Sequence, residues 1–170
     1  MIVDKFSEIF SGNTNGYGLY NGKGHIFVKK SVTKELYEQH LTGKISLGIV
    51  PITDKGNCRF GAIDFDDHKK NGIKIKDFDY ESLLKKIKFL KLPLVVFKSK
   101  SGGAHAYLFL QEWTPAKDVR HILKKFAYAL GCSRDVEIFP KQEQLKSGES
   151  GSFINLPYHA GNTRVAVTND

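Results

Sequence analysis

The sequence is poor in the residues that staple small domains together. Its two cysteines, Cys58 and Cys132, stand in no CxxC or Cys/His spacing, which argues against both a zinc module and a disulfide framework. Nowhere do 18 consecutive apolar residues occur, so no segment reads as a membrane-spanning helix. The opening MIVDKFSEIF also lacks the apolar run of a secretory signal. No internal repeat, low-complexity tract or linker divides the chain. These absences leave a soluble, cytoplasmic chain as the expectation. With 170 residues and 41% hydrophobic content, it is long enough for one domain with a proper core and short for two.

Positive charge, by contrast, is plentiful. Lysine and arginine number 26 against 18 acids, giving a formal charge of +8 and a pI near 9.4. Such a balance favours a polyanionic partner through counterion release, with nucleic acid the first candidate. The basic residues are spread along the chain rather than clustered. Tyr17, Tyr20 and other aromatics offer rings on which bases could stack.

Hydrophobic spacing predicts helices over residues 4–10, 33–41 and 79–92, the last capped by Asp79 and carrying Leu83, Leu84, Ile87 and Leu90 on one stripe. A fourth starts at Thr114 with Pro115 in its first position and stops at Gly131. Between them, HIFVKK, ISLGIVPIT, CRFGAIDFD, LVVFKSK, HAYLFL, VEIFP and FINLPYH read as strands. DKGN is expected to close a hairpin between the second and third of these, and the Gly/Asn-rich stretch 11–24 to form turns or a surface loop. The order of elements predicts an α+β fold, mainly antiparallel, with helices packed on sheet.

Three stretches carry chemistry. In IDFDD, strand alternation sends Ile63 and Phe65 to one face and Asp64 and Asp66 to the other, roughly 7 Å apart. Two such carboxylates repel unless a cation lies between them, and hard oxygen donors suit divalent ions that pair at about 4 Å in phosphoryl transfer. Asp67 points the other way and belongs to the exit loop. In FKSKSGGAHAYLFL, the Gly102–Gly103 turn lets backbone amides approach a phosphate, with Lys98, Ser99, Lys100, Ser101 and His105 supplying charge and donors around it. Its glycines are adjacent and no helix follows, so it is not a dinucleotide-binding loop. In DVEIFPKQ, Asp135 and Glu137 share one face of a strand, with Lys141 just beyond, and either acid could complete a three-carboxylate site.

In this order GAIDFDDH, SKSGGAHAYLFL, VEIFPKQ and GSFINLPYH, led in by HLTGKISLGIVPI, resemble the motif series of the archaeo-eukaryotic primase superfamily. Within it the likeness is to the single-chain primase-polymerases of mobile elements and of phage- or CRISPR-associated systems, over residues 40–158. The resemblance implies an RRM-like α+β catalytic core. It also implies a template-dependent DNA primase-polymerase that adds dNTPs or NTPs to a 3′-hydroxyl with two ions, Mg²⁺ or Mn²⁺. Asp64, Asp66 and Glu137 match the metal-binding motifs. His105 matches the triphosphate-binding motif, helped by Ser99 or Ser101 and by Gly102 and Gly103. Lys98 and Lys141 are expected at phosphates, Asn155 on the sugar or base side, and His159 more distantly. The implied partners are single-stranded DNA template, primer, nucleotides, and a helicase or accessory helical domain, with no membrane.

Some features depart from that pattern. Glutamate replaces the common aspartate of the third motif, which keeps Asp135 open as the ligand. Three residues separate Ser101 from His105, so Ser99 and Ser101 compete for one role. The accessory modules of relatives are missing, which suits the catalytic core of a longer protein. Two other functions fit the same residues: a metal-dependent nuclease, although no acidic-x-Lys pair follows the second strand, and a nucleic-acid or nucleotide-binding module without turnover.

Overall fold

The structure, a computed structural model, describes residues 2–65 and 78–168. Helix α1 (Ile2–Ile9) leads to strands β1 (Tyr17–Tyr20) and β2 (His25–Val28), helix α2 (Lys34–Leu41), and strands β3 (Ser46–Ile49) and β4 (Asn57–Phe65). Helix α3 (Tyr80–Phe89), strands β5 (Val95–Lys98) and β6 (Ala104–Pro115), helix α4 (Ala116–Ala129), and strands β7 (Glu137–Phe139) and β8 (Ile154–Asn155) complete the order. The fold is α+β. Its strands form two four-stranded sheets, β2-β1-β3-β8 and β5-β6-β4-β7, and every pairing is antiparallel.

Alternation along β4 sets the layers. Ile63 joins Val96, Ala104, Ala106 and Leu108 on the face covered by α3 and α4, where Leu83, Ile87, Val119 and Leu123 bury the helices' apolar stripes. Phe60 and Ala62 face the other way. There they pack with Phe97, Tyr107 and Phe139 against Leu47, Ile49 and Ile154 of the first sheet and against Phe6 and Phe10. The core therefore has two parts, one under each face of the second sheet.

Asp79 caps α3 as the sequence predicts, its carboxylate accepting from the Ser82 amide at 3.0 Å. Other expectations change. The 11–24 stretch is not all loop, because YGLY forms β1 at the middle of the first sheet, paired with both β2 and β3. It tolerates glycine for a packing reason. Gly18 lies opposite Gly48 on β3, and a Cβ on either would come within 2.3 Å of the Phe153 ring that lies over them. The turn at DKGN exists, with the Gly56 amide bonded to the Thr53 carbonyl at 2.9 Å. It is not a hairpin, since β3 and β4 belong to different sheets. The residues predicted to open the last helix instead end β6, which pairs with β4 as far as Pro115. Ile9, which helical spacing would put on one face with Phe6 and Phe10, is 47% exposed, while Phe6 and Phe10 enter the core.

Candidate active site

Strand β4 is central in its sheet, and register aligns three polar side chains across it. Asp64 lies directly opposite His105 on β6 and opposite Glu137 on β7. This row is the next step of the face that carries Ala62, Tyr107 and Phe139, so the inter-sheet core gives way here to charge. Asp64, His105 and Glu137 line one cleft together with Ser99, Lys100 and Ser101 from the β5–β6 turn and His25, Phe153 and Asn155 from the first sheet. The cavity measures about 290 Å³, close to the lower end of small-ligand sites.

Burial makes the carboxylates informative. The side chains of Asp64 and His105 are each 10% exposed, and His105 Nε2 stands 3.4 Å from Asp64 Oδ1. Asp64 Oδ1 is nevertheless buried without a hydrogen-bond partner, a costly state for a charged oxygen. Glu137 receives Lys141 Nζ at 2.9 Å. A buried carboxylate oxygen without a hydrogen-bond partner, on a residue in register with a second carboxylate, offers hard donors that suit a divalent cation. Among the described residues no three His, Cys, Asp or Glu side chains close a ligand cluster. Asp66, one alternation further along, lies outside the described residues.

Asp135 and Glu137 part company. Asp135 is exposed in a turn before β7, while Glu137 opens the strand and lines the cleft. Ser99 and Ser101 do not compete for one position, because their hydroxyls are hydrogen-bonded at 2.9 Å and both line the cavity. Gly102 and Gly103 stand behind them and do not line it. Their carbonyls accept from the Tyr80 hydroxyl at 3.2 and 2.7 Å, and the Ser99 amide donates to Gly103. Gly102 takes φ +95°, which a side chain rarely adopts. The glycines thus shape the serine turn.

Lys98 is a correction. It pairs in register with Ala104, which puts it on the helix side of the sheet, and its ammonium sits over the Tyr80 ring. Alternation excludes it from the face of Phe97 and His105, and Lys100 enters the cleft instead. Lys141 borders the cleft through Glu137 and lies over the Phe139 ring. Asn155 Nδ2 is 3.1 Å from His25 Nε2, while its Oδ1 is buried and unpartnered. The Tyr107 hydroxyl donates to the Asn155 carbonyl at 3.2 Å and ties the two sheets together at the cleft. Burial, and next the nearby Asp64 charge, raise the Tyr107 pKa, so the phenol stays a donor. Tyr17 is in the core and has no free ring face, whereas Tyr20 carries Lys100 over its ring.

A second cavity adjoins the first through Ser99 and Lys100 and is lined also by Tyr20, Lys44, Ser46, His159 and Arg164. Arg164 donates to Ser46 Oγ at 2.9 Å and to the Leu156 carbonyl at 3.2 Å, from a backbone with φ +53°. Burial lowers the pKa of His159, and the Arg164 charge lowers it further. Arg164 belongs to no motif visible in the sequence, and nothing short of the fold brings TRVAV beside the serine turn. His25, at the start of a predicted strand, carried no local signal for the cleft either.

Compared with curated proteins, the chain has no match. Residues 25–168 of the 170 match a family described as the archaeo-eukaryotic primase domain of TOTE conflict systems. That span contains the whole row of Asp64, His105 and Glu137, both serines, Asn155 and Arg164. The chain belongs to the archaeo-eukaryotic primase family, in its TOTE conflict-system branch.

Proposed function

We propose that the cleft between the sheets is a nucleotidyl-transfer site that joins dNTPs or NTPs to a 3′-hydroxyl on a single-stranded template. The observation that carries this reading is Asp64, whose buried Oδ1 has no hydrogen-bond partner and which lies in register with Glu137 on β7 and His105 on β6. Two adjacent carboxylates are a poor structural choice and a good cation site. Asp64 and Glu137, with Asp66 two residues on in the sequence, would hold Mg²⁺ or Mn²⁺. When bound, such ions polarise the phosphate and lower the pKa of the attacking hydroxyl.

The remaining residues sort by chemistry. His105 and the Ser99–Ser101 hydroxyl pair bind the triphosphate, and Lys100 neutralises it from the turn shared by both cavities. Arg164 and Lys44 continue that positive surface into the second cavity. Asn155 Oδ1 accepts a hydrogen bond from the sugar or base side of the nucleotide. Tyr107 and the buried hydrophobic row behind Asp64 hold the two walls in register and keep water from the floor of the cleft.

The test is synthesis on single-stranded DNA, primed and unprimed, with Mn²⁺ and with NTPs and dNTPs supplied separately. Extension of a primed strand is expected, and unprimed product would add primer initiation. Degradation of labelled DNA without nucleotides would instead select a nuclease. Nucleotide binding that persists in EDTA, with no synthesis under any metal, would select a binding module.

A further inference from the structure

The cleft uses one face of the second sheet, and the helices cover the other. On their outer side Phe89 of α3 and Tyr128 of α4 are 85% and 86% exposed, although both helices bury their apolar stripes elsewhere. The C-terminal ends of α3 and α4 meet, since Lys86 Nζ donates to the Leu130 carbonyl at 3.3 Å. Phe89 lies three residues beyond Lys86 and Tyr128 two before Leu130, so both rings come from the two helix ends that this bond joins. Lys88, Lys91, Lys124 and Lys125, within four residues of one ring or the other in the sequence, are exposed. The acids of the two helices, Glu81 and Asp118, lie in the first turns at the opposite ends, and Glu81 is paired with Lys85.

An apolar protein partner would have to desolvate these lysines. A polyanion would instead compensate their charge, and exposed rings with lysines near them in sequence match the two needs of single-stranded nucleic acid, a face for each base and a cation for each phosphate. A duplex hides its base faces and leaves the rings unused. We propose that the C-terminal halves of α3 and α4 form a second nucleic-acid surface, specific for unpaired strands and separate from the cleft. It goes beyond the transfer chemistry and does not require it.

Anisotropy titration of the full chain with fluorescent dT30 and rU30, across a salt series, tests this. The double variant Phe89→Ser/Tyr128→Ser is expected to lose affinity for at least one strand by about tenfold or more, since stacked bases contribute on that order. Lys88, Lys91, Lys124 and Lys125 changed together to glutamine should flatten the log–log salt slope by about 0.7 for each phosphate no longer neutralised. Thermal melting should be unchanged in both, because the altered side chains are exposed. Single-nucleotide incorporation on a saturating short primed template reports the cleft separately and should also be unchanged. Affinities within twofold of wild type for both strands would overturn the proposal. So would an abasic oligomer that binds as tightly as dT30, or a wild-type dimer that the ring variant converts to monomer.

Discussion

At the residue scale, Asp64 is placed where a protein built only for stability would not put it. Like charges directly opposite in an antiparallel pair destabilise, and Asp64 lies opposite Glu137 in register, with an Oδ1 that accepts no hydrogen bond. Asp64→Asn should therefore leave chemical-denaturation stability unchanged or raise it by roughly 0.5 kcal/mol. A fall of several kcal/mol would mark Asp64 as a structural residue instead. His40 is the opposite case. It is fully buried, takes the Leu47 amide on Nδ1 at 3.0 Å, and holds the Pro157 carbonyl from Nε2 at 2.8 Å. Burial, only partly offset by the Pro157 bond, lowers its pKa from 6.5 to about 4. The unfolded chain thus binds the proton first, so stability is complete above pH 6.5 and falls as pH drops toward 4, by about 3 kcal/mol from this group. His40→Gln should flatten that part of the profile in urea unfolding, and an unchanged slope would contradict the assignment. Alternation alone made the cleft-facing position of Asp64 legible, because a strand has only two faces. It also had the information to reject Lys98, which lies one residue out of phase with the cleft face, but the phase of β5 against β6 is known only from their register.

At the element scale, the cleft depends on how closely Phe153 approaches the first sheet. Gly18 and Gly48 form the trough that receives its ring, and the same ring lines the cleft beside Asn155. Gly48→Ala should cost about 1–3 kcal/mol through overpacking, read as a lower denaturation midpoint with an unchanged m-value. A neutral result would mean that Phe153 can move aside and that the trough does not position β8. Local patterning revealed the amphipathic helices well, since Leu83, Val119 and Leu123 repeat at helical spacing and do bury. It concealed β1, whose four residues sit among glycines and asparagines that signal turns. It also misassigned the partner of β3, because the 53–57 turn looks alike whether the next strand returns beside β3 or crosses to another sheet.

For the whole molecule, the two sheets meet over one of the two parts of the core, and the candidate chemistry lies where that part ends. Within a chain of charge +8, the described residues put basic side chains in the cavities around Lys100 and Arg164 and, exposed, at the C-terminal ends of α3 and α4. The four motifs were readable in order, and the family match covers them. Arg164 and His25 were not readable, since their relation to the cleft is made only by long-range packing. The most direct test of the central claim compares wild type, Asp64→Asn and His105→Ala for Mn²⁺-dependent incorporation of a labelled nucleotide onto a primed single strand. Incorporation by wild type, with at least about a thousandfold loss in Asp64→Asn at unchanged melting temperature, is the expected result. Equal incorporation by wild type and the folded Asp64→Asn protein would contradict it.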